Sequence, residues 1–528
     1  MNQRVSPVAA LLIIFSLLLT ISFIPQNEAQ DTLQGSTDRL NNNARESSSR
    51  TDWWPMFHHD AEHTGYSTSS APTTNNVLWY AIPDYSVVYS SPAVVDGRLY
   101  IGGGNPGFGG SMMCFNITNG QKIWSYNLPY AIDCSPVVAH GSVYFSASFS
   151  PYLFCLDAVG NGEGSTILKW KFTAGSGFYT PILSDEKLYV GSSDAHVYCL
   201  DANGDGQGST TILWQNTVDG VPSQCPAVSN GYVYVGTNHG FVFCFNAETG
   251  EKIWQYQPGI AETSPTVVDG KVYVNSLDWY VVCLDAYGDG YGSTTELWRH
   301  PTQGTFVDAS PAVAYGNVYA ATSVYAAILY CLDTDTGEEQ WNYTGTPDTA
   351  ITTSPAVADG KVFFYTTDDW FHCVNAETGE IIWEYKQDLQ PDPPWITYSS
   401  PAVAEDTVFF GWHGAIFAFR DPPRPNVQIQ NIKGGVFLSA EITNIGNEAV
   451  GEGSWELMTH GGLFGLIDVH SQGSFNGIDA GATLPIRMKK PILGFGPVNI
   501  TMKVQLEELP TVWAFTSGFV LVGYTVIR

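Results

Sequence analysis

Three oxygen-bearing side chains stand at alternate positions in LDANGDGQGSTTILW (200–214): Asp201, Asn203 and Asp205, with Gly206 behind them. That order opens a calcium loop of the D-x-[DN]-x-[DN]-G kind, in which hard oxygens surround one ion. The closing bidentate carboxylate is missing, because Ile212 holds its position. A second copy, LDAYGDGYGSTTELW, supplies Asp285, Asp289 and Glu296 but places Tyr287 between the first two. A third, LDAVGNGEGST, keeps only Asp157 and Asn161. Glycines and Asx side chains also turn a hairpin without any metal. The loops therefore read as hairpin extensions first and as incomplete calcium shells second.

Other reactive side chains are less patterned. His58, His59 and His63 cluster in HHDAEH, where they offer metal ligands or, more simply, packing. Seven of the nine cysteines (Cys114, Cys155, Cys199, Cys244, Cys283, Cys331 and Cys373) hold one repeat position. Spread one per repeat, they read as small buried apolar residues rather than disulfide partners. No P-loop, serine–histidine elbow or paired-cysteine zinc spacing occurs.

The elements that carry these residues repeat. A proline after a small or polar residue, followed by an apolar run, recurs at Pro92, Pro136, Pro181, Pro226, Pro265, Pro311, Pro355 and Pro401, at spacings of 39 to 46. Each unit holds short alternating apolar runs split by Gly, Asp and Asn, which read as four strands. A matching series, Trp79, Trp124, Trp170, Trp214, Trp254, Trp298, Trp341 and Trp383, ends the units. This predicts an all-β chain with an eight-bladed β-propeller over 51–421. The first Trp precedes the first Pro, so VLWYAIP (77–83) is expected to be the outer strand of the last blade, closing the ring.

The phrase CFNAETGEKIW (244–254), with CFNITNGQKIW, CLDTDTGEEQW and CVNAETGEIIW, resembles the tryptophan-docking motif of the pyrroloquinoline quinone (PQQ) repeat family. The family usually has Ala where these have Cys114, Cys244, Cys331 and Cys373. The leading phrase WWPMFHHDAEHTGYS (53–67) resembles the start of such propellers in archaeal and bacterial surface proteins. The resemblance covers about 53–421. It implies the fold. For activity it implies either a quinoprotein dehydrogenase or a non-enzymatic scaffold of the BamB type. Ligands of such propellers would meet the loops that enter the innermost strands, which carry Asp133, Glu262, Asp308, Trp395 and Tyr398. These form no ordered set of a carboxylate base, calcium ligands and quinone donors, so PQQ is not expected.

The chain has 528 residues and a net charge of -29, which excludes nucleic acid as a partner for lack of basic clusters. Arg4 followed by the apolar run Val8–Ile24 reads as a signal peptide over 1–29, or an anchor if uncleaved. Residues 30–50 read as a flexible polar leader and 422–426 as a Pro-rich linker. Residues 427–528 are expected to form a β-sandwich. ITNIGNEAVGEG there resembles immunoglobulin-like domains of archaeal surface proteins. Asn116, Asn342 and Asn499 begin glycosylation sequons. The expectation is a secreted or cell-surface binding or scaffold protein without catalysis of its own. Its partners would be other surface proteins or glycans, its only membrane contact an uncleaved N-terminus, and its only candidate cofactor calcium. The alternatives are a PQQ- and calcium-dependent oxidoreductase, and a carbohydrate or cell-wall binder.

Overall fold

The computed structural model describes residues 52–527 except 84, 86–88, 106–107, 223, 258, 260–262, 304–308, 324–325, 387–396, 413, 423–426, 435, 447, 464–465, 507–511 and 522–523. The expected signal and leader, most of the linker, and Glu262, Asp308 and Trp395 lie outside the described residues.

The regular elements are strands. Alternating runs such as KLYVGS and HVYCLD bury both faces at their centres, as stacked sheets require. Among the described residues, eight four-stranded antiparallel sheets follow the repeat, and one of them gains the short parallel strand Tyr66–Ser67 as a fifth. The first sheet is typical: Ala93–Val95, Arg98–Asn105, Gly109–Asn116 and Lys122–Leu128 in order. The last is assembled from Ala402–Ala404, Thr407–Trp412 and Ala415–Phe419, with Val77–Ala81 as its outer strand. The expected closure is therefore present. The innermost strands neighbour one another in a ring, with Ala93–Val95 beside both Val137–Ala139 and Ala402–Ala404.

Two devices hold sheet to sheet. The first is the tryptophan series. Each outer-strand Trp pairs across to a small residue, as in Cys114 with Trp124, Cys199 with Trp214 and Ala418 with Trp79. Its indole N–H then donates to a carbonyl of the next sheet: Trp79 to Ile117, Trp170 to Ala202, and Trp383 to Pro72 in the leading segment. Cysteine fits opposite the indole because it is small and apolar. All nine cysteines are free, and burial pushes the thiols of this series up.

The second device explains the residue before each proline. The Ser91 N–H donates to Ser135 Oγ, and the Ser135 N–H to Thr180 Oγ1. The links continue from Cys225 to Ser264, Ser310 to Ser354, Ser354 to Ser400, and Ser400 back to Ser91. At six of the eight positions (Ser91, Ser135, Thr180, Ser264, Ser354 and Ser400) a small hydroxyl recurs because it accepts from the neighbouring sheet, whereas the buried Ser310 Oγ has no partner among the described residues and Cys225 carries no hydroxyl.

The C-terminal strands form a three-stranded sheet, Val427–Lys433, Ser439–Asn444 and Thr483–Arg487, and a five-stranded sheet led by Gly453–Gly461 and Phe495–Leu506. Ile442, Trp455, Leu457, Ile500 and Met502 share their core.

Candidate functional site

In each blade the loop into the innermost strand and the turn between the second and third strands share one face, since successive strands are antiparallel. There Asp133 accepts a hydrogen bond from the Ser148 hydroxyl at 2.5 Å, and burial pushes its carboxyl up. Tyr89 and Tyr398 stack at 5.0 Å, joining the last blade to the first. His239 Nδ1 lies 2.8 Å from Asp219, both well exposed. Phe149 and Trp279 are exposed with φ of 58° and 74°, a backbone region that bulky side chains avoid unless the surroundings impose it. Cys134 and Cys225 lie beside this face, their sulfurs directed at the Phe178 and Pro181 carbonyls.

The loops that resemble calcium sites lie on the opposite face. Asp201 Oδ1 accepts the Asn203 N–H, and Asp205 Oδ1 accepts the N–H groups of Gln207 and Ser209 at 2.7 and 3.0 Å. Those bonds hold the Asp205 carboxyl below its usual range. Gly204 is fixed by the neighbour: a Cβ there would stand 2.5 Å from Trp170, and its φ is +79°. In the second copy the three acids do not converge. Asp285 and Asp289 accept backbone N–H groups of their own loop, while Glu296 pairs with Arg299 and Tyr256. Among the described residues no group of three or more His, Cys, Asp and Glu side chains could hold a metal ion. Here Asp285 and Asp289 are turn residues and Glu296 is an ion-pair partner.

The axis of the ring is occupied by the leading segment. The innermost strands have a free edge toward the axis, and residues 54–65 satisfy it. Val94, Val138, Val228, Val267, Val313 and Val357 donate their N–H groups to the carbonyls of Trp54, Pro55, Ala61, Glu62, Thr64 and Gly65, at 2.6–2.9 Å. HHDAEH is therefore a plug. His58 and His63 are buried; burial pushes them down to about 4 and about 3. His63 Nδ1 lies 3.0 Å from the Pro265 carbonyl, and His58 Nε2 lies 3.2 Å from that of Pro355. His59 lies between Asp52 and Asp60, and these carboxylates raise it to about 9 against the opposing pull of burial. Beside the plug, a cavity of about 400 Å³ is lined by Asp60, Glu62, Asp185, Ser229 and Asn230 among others. Glu62 accepts from Ser229, and burial raises its carboxyl.

Of the expected face residues, Asp133 and Tyr398 are described, and each has a face partner of its own, Ser148 and Tyr89. The plug is a feature the repeat pattern does not reach, since it occurs once. Beside the resemblance of 53–67 to the start of such propellers, its sequence signal is a run of small, polar and aromatic residues without strand alternation.

A family model described as outer membrane protein assembly factor BamB matches residues 74–209, 206–290 and 280–427, about two thirds of the chain together. A 1-butanol dehydrogenase (cytochrome c) from Thauera butanivorans is 27% identical over 125 residues, 22% of this chain and 18% of that protein. The match thus spans about a fifth of that relative's length. BamB from Moraxella catarrhalis superposes with a TM-score of 0.50 at 16% identity, over 65% of this chain and 97% of that one. The quinohemoprotein alcohol dehydrogenase ADHIIG from Pseudomonas putida HK5 gives 0.53 at 14% identity, over 72% and 83%. At those identities the structures share the fold. The expectation of a scaffold without chemistry of its own is overturned by the match to the butanol dehydrogenase.

Proposed function

We propose that this chain, which belongs to the family described as outer membrane protein assembly factor BamB, is an alcohol-oxidising quinoprotein that acts outside the cytoplasm with its chemistry on the inner-loop face. The observation that carries the reading is the 125-residue match to the 1-butanol dehydrogenase. The quinohemoprotein neighbours support it, and one neighbour is a europium-containing methanol dehydrogenase. They bring PQQ, with calcium or a lanthanide, back as the cofactor to test. The described residues do not supply an ion site for such a group, so no step is assigned to it.

What the chain's own residues offer is a proton acceptor. Asp133 is half-buried, held by Ser148, and raised by burial, which makes a carboxylate a better base near neutral pH. An apolar alcohol would meet the exposed Phe149 next to Ser148 on the same turn. The test is to load the purified chain with PQQ and either calcium or a lanthanide, then follow dye reduction with 1-butanol, methanol and a sugar. Turnover that falls by about 10²-fold or more in Asp133→Asn supports the reading, that being the usual scale of general-base catalysis. Failure to retain quinone with either metal overturns it.

A further inference from the structure

We propose that the C-terminal β-sandwich carries a lipid-docking tip, which seats the protein on an anionic membrane surface. At one end of the five-stranded sheet, Gly462 and Leu463, just after Gly453–Gly461, lie beside the start of Phe495–Leu506. The Gly462 N–H donates to the Pro497 carbonyl, and a Cβ on Gly496 would meet Leu463. From this end Leu463, Leu466, Leu493 and Phe495 project 54%, 81%, 68% and 48% exposed. Four large apolar side chains at one sheet end are an exposed patch that needs an occupant. Glycines flank them (Gly461, Gly462, Gly494, Gly496), so the turns pack closely and leave the side chains outward.

Charge selects the occupant. The chain as a whole is acidic, at -29, yet Arg487, Lys489 and Lys490 fall together just before the apolar turn 491–495. The Lys489 N–H bonds to Ser471 Oγ, four residues along the strand from Ile467 at the tip. At about 3.3 Å per residue that sets Lys489 roughly 13 Å behind the apolar end. Apolar side chains sunk about 5–10 Å into the headgroup–acyl boundary would bring those cations to the phosphate level. Residues 427–528 hold eight acidic and six basic side chains, nearly balanced, so this domain escapes the repulsion an anionic surface exerts on the rest of the chain. A second copy of this chain, as acidic as the first, lacks that complementarity.

The test uses the full chain with sedimented vesicles of phosphatidylcholine alone and of phosphatidylcholine with phosphatidylglycerol. Binding is expected only to the anionic vesicles, weakening as salt rises from 0.05 to about 0.5 M because the Debye length shrinks several-fold. Leu466→Ser with Leu493→Ser should lower binding about tenfold or more. Lys489→Glu with Lys490→Glu should abolish the preference for phosphatidylglycerol. Unchanged melting of both variants confirms the fold, and the salt titration of the parent serves if either variant unfolds. No sedimentation with anionic vesicles overturns the proposal. So does a concentration-dependent dimer that Leu466→Ser with Leu493→Ser dissolves while vesicles remain unbound, which would make the tip an interface between copies.

Discussion

The Ser400 N–H donates to the Ser91 hydroxyl at 2.9 Å, across 309 residues of sequence. Neighbouring blades elsewhere make the same bond at a separation near 44. The seam between the ends of the propeller is thus built like the junctions at Ser91–Ser135 and Ser310–Ser354, with Trp79 and Val77–Ala81 completing it.

Breaking the seam should be as costly as breaking any blade. Trp79→Ala removes a buried indole and its bond to Ile117, and is expected to cost about 3–5 kcal/mol. Ser91→Ala leaves the buried Ser400 N–H without an acceptor and should cost about 1–3 kcal/mol. Deleting 51–84 takes the plug as well and should give insoluble chain. Denaturant unfolding checks all three, and a deletion that melts with the parent would falsify the closure.

The plug gives stability a maximum in pH. His58 and His63 are neutral when folded, with folded values of about 4 and 3, so below pH 6.5 the unfolded chain binds protons that the folded chain refuses. Stability is lost on that side as pH falls, by about 1.4 kcal/mol per pH unit for each proton. His59 has the opposite sign: its folded value is raised to about 9, so its contribution is complete below 6.5 and disappears as pH rises toward 9. Unfolding free energy measured from pH 4.5 to 9.5 should peak near 6.5, and His59→Gln should flatten the alkaline side. A curve still rising at pH 9 in the parent contradicts the Asp52–His59–Asp60 arrangement.

Two glycines of one loop should behave differently. Gly204 and Gly206 share a positive φ, but only Gly204 faces an indole, while a Cβ on Gly206 would meet nothing within 4 Å. Gly206→Ala should cost about 1–2 kcal/mol from backbone strain alone. Gly204→Ala must also displace Trp170 and should lower the melting temperature clearly more. Equal shifts would mean the loop is shaped by something other than the docked tryptophan, and calcium-dependent melting would then be the first measurement to make.

Glycan attachment tests the strand phase. Asn342 and Asn499 are exposed, whereas Asn116 is half-buried and its side chain accepts the Thr118 N–H. In a glycosylating host Asn342 and Asn499 should be modified and Asn116 bare. Peptide mapping that shows Asn116 occupied would place that turn differently.

The repeat made the blades readable because each carries the same Pro, Cys and Trp at the same depth. The hydrogen-bonded girdle was visible only as an unexplained taste for Ser before Pro. The face was readable as a set of loops carrying Asp133 but not as the bond Asp133 makes with Ser148, and the plug was not readable as a plug, because His58 and His63 occur once each and meet carbonyls 297 and 202 residues away. The acids at 201–205 looked like ligands because Asx turns and calcium loops call for the same side chains. The backbone bonds of Asp205 show that its Oδ1 turns its own loop.

The plug also dictates an order of assembly. Its carbonyls are matched to the first blade and the seventh alike, so the stretch synthesised first is anchored only when Val357 and its sheet exist. Contacts this distant raise contact order and slow folding. Until they form, every innermost strand keeps a bare edge toward the axis. An unfinished or nicked chain therefore offers another copy the very strand partners that its own leading segment should supply, and exchange of that segment between molecules is the failure this architecture invites.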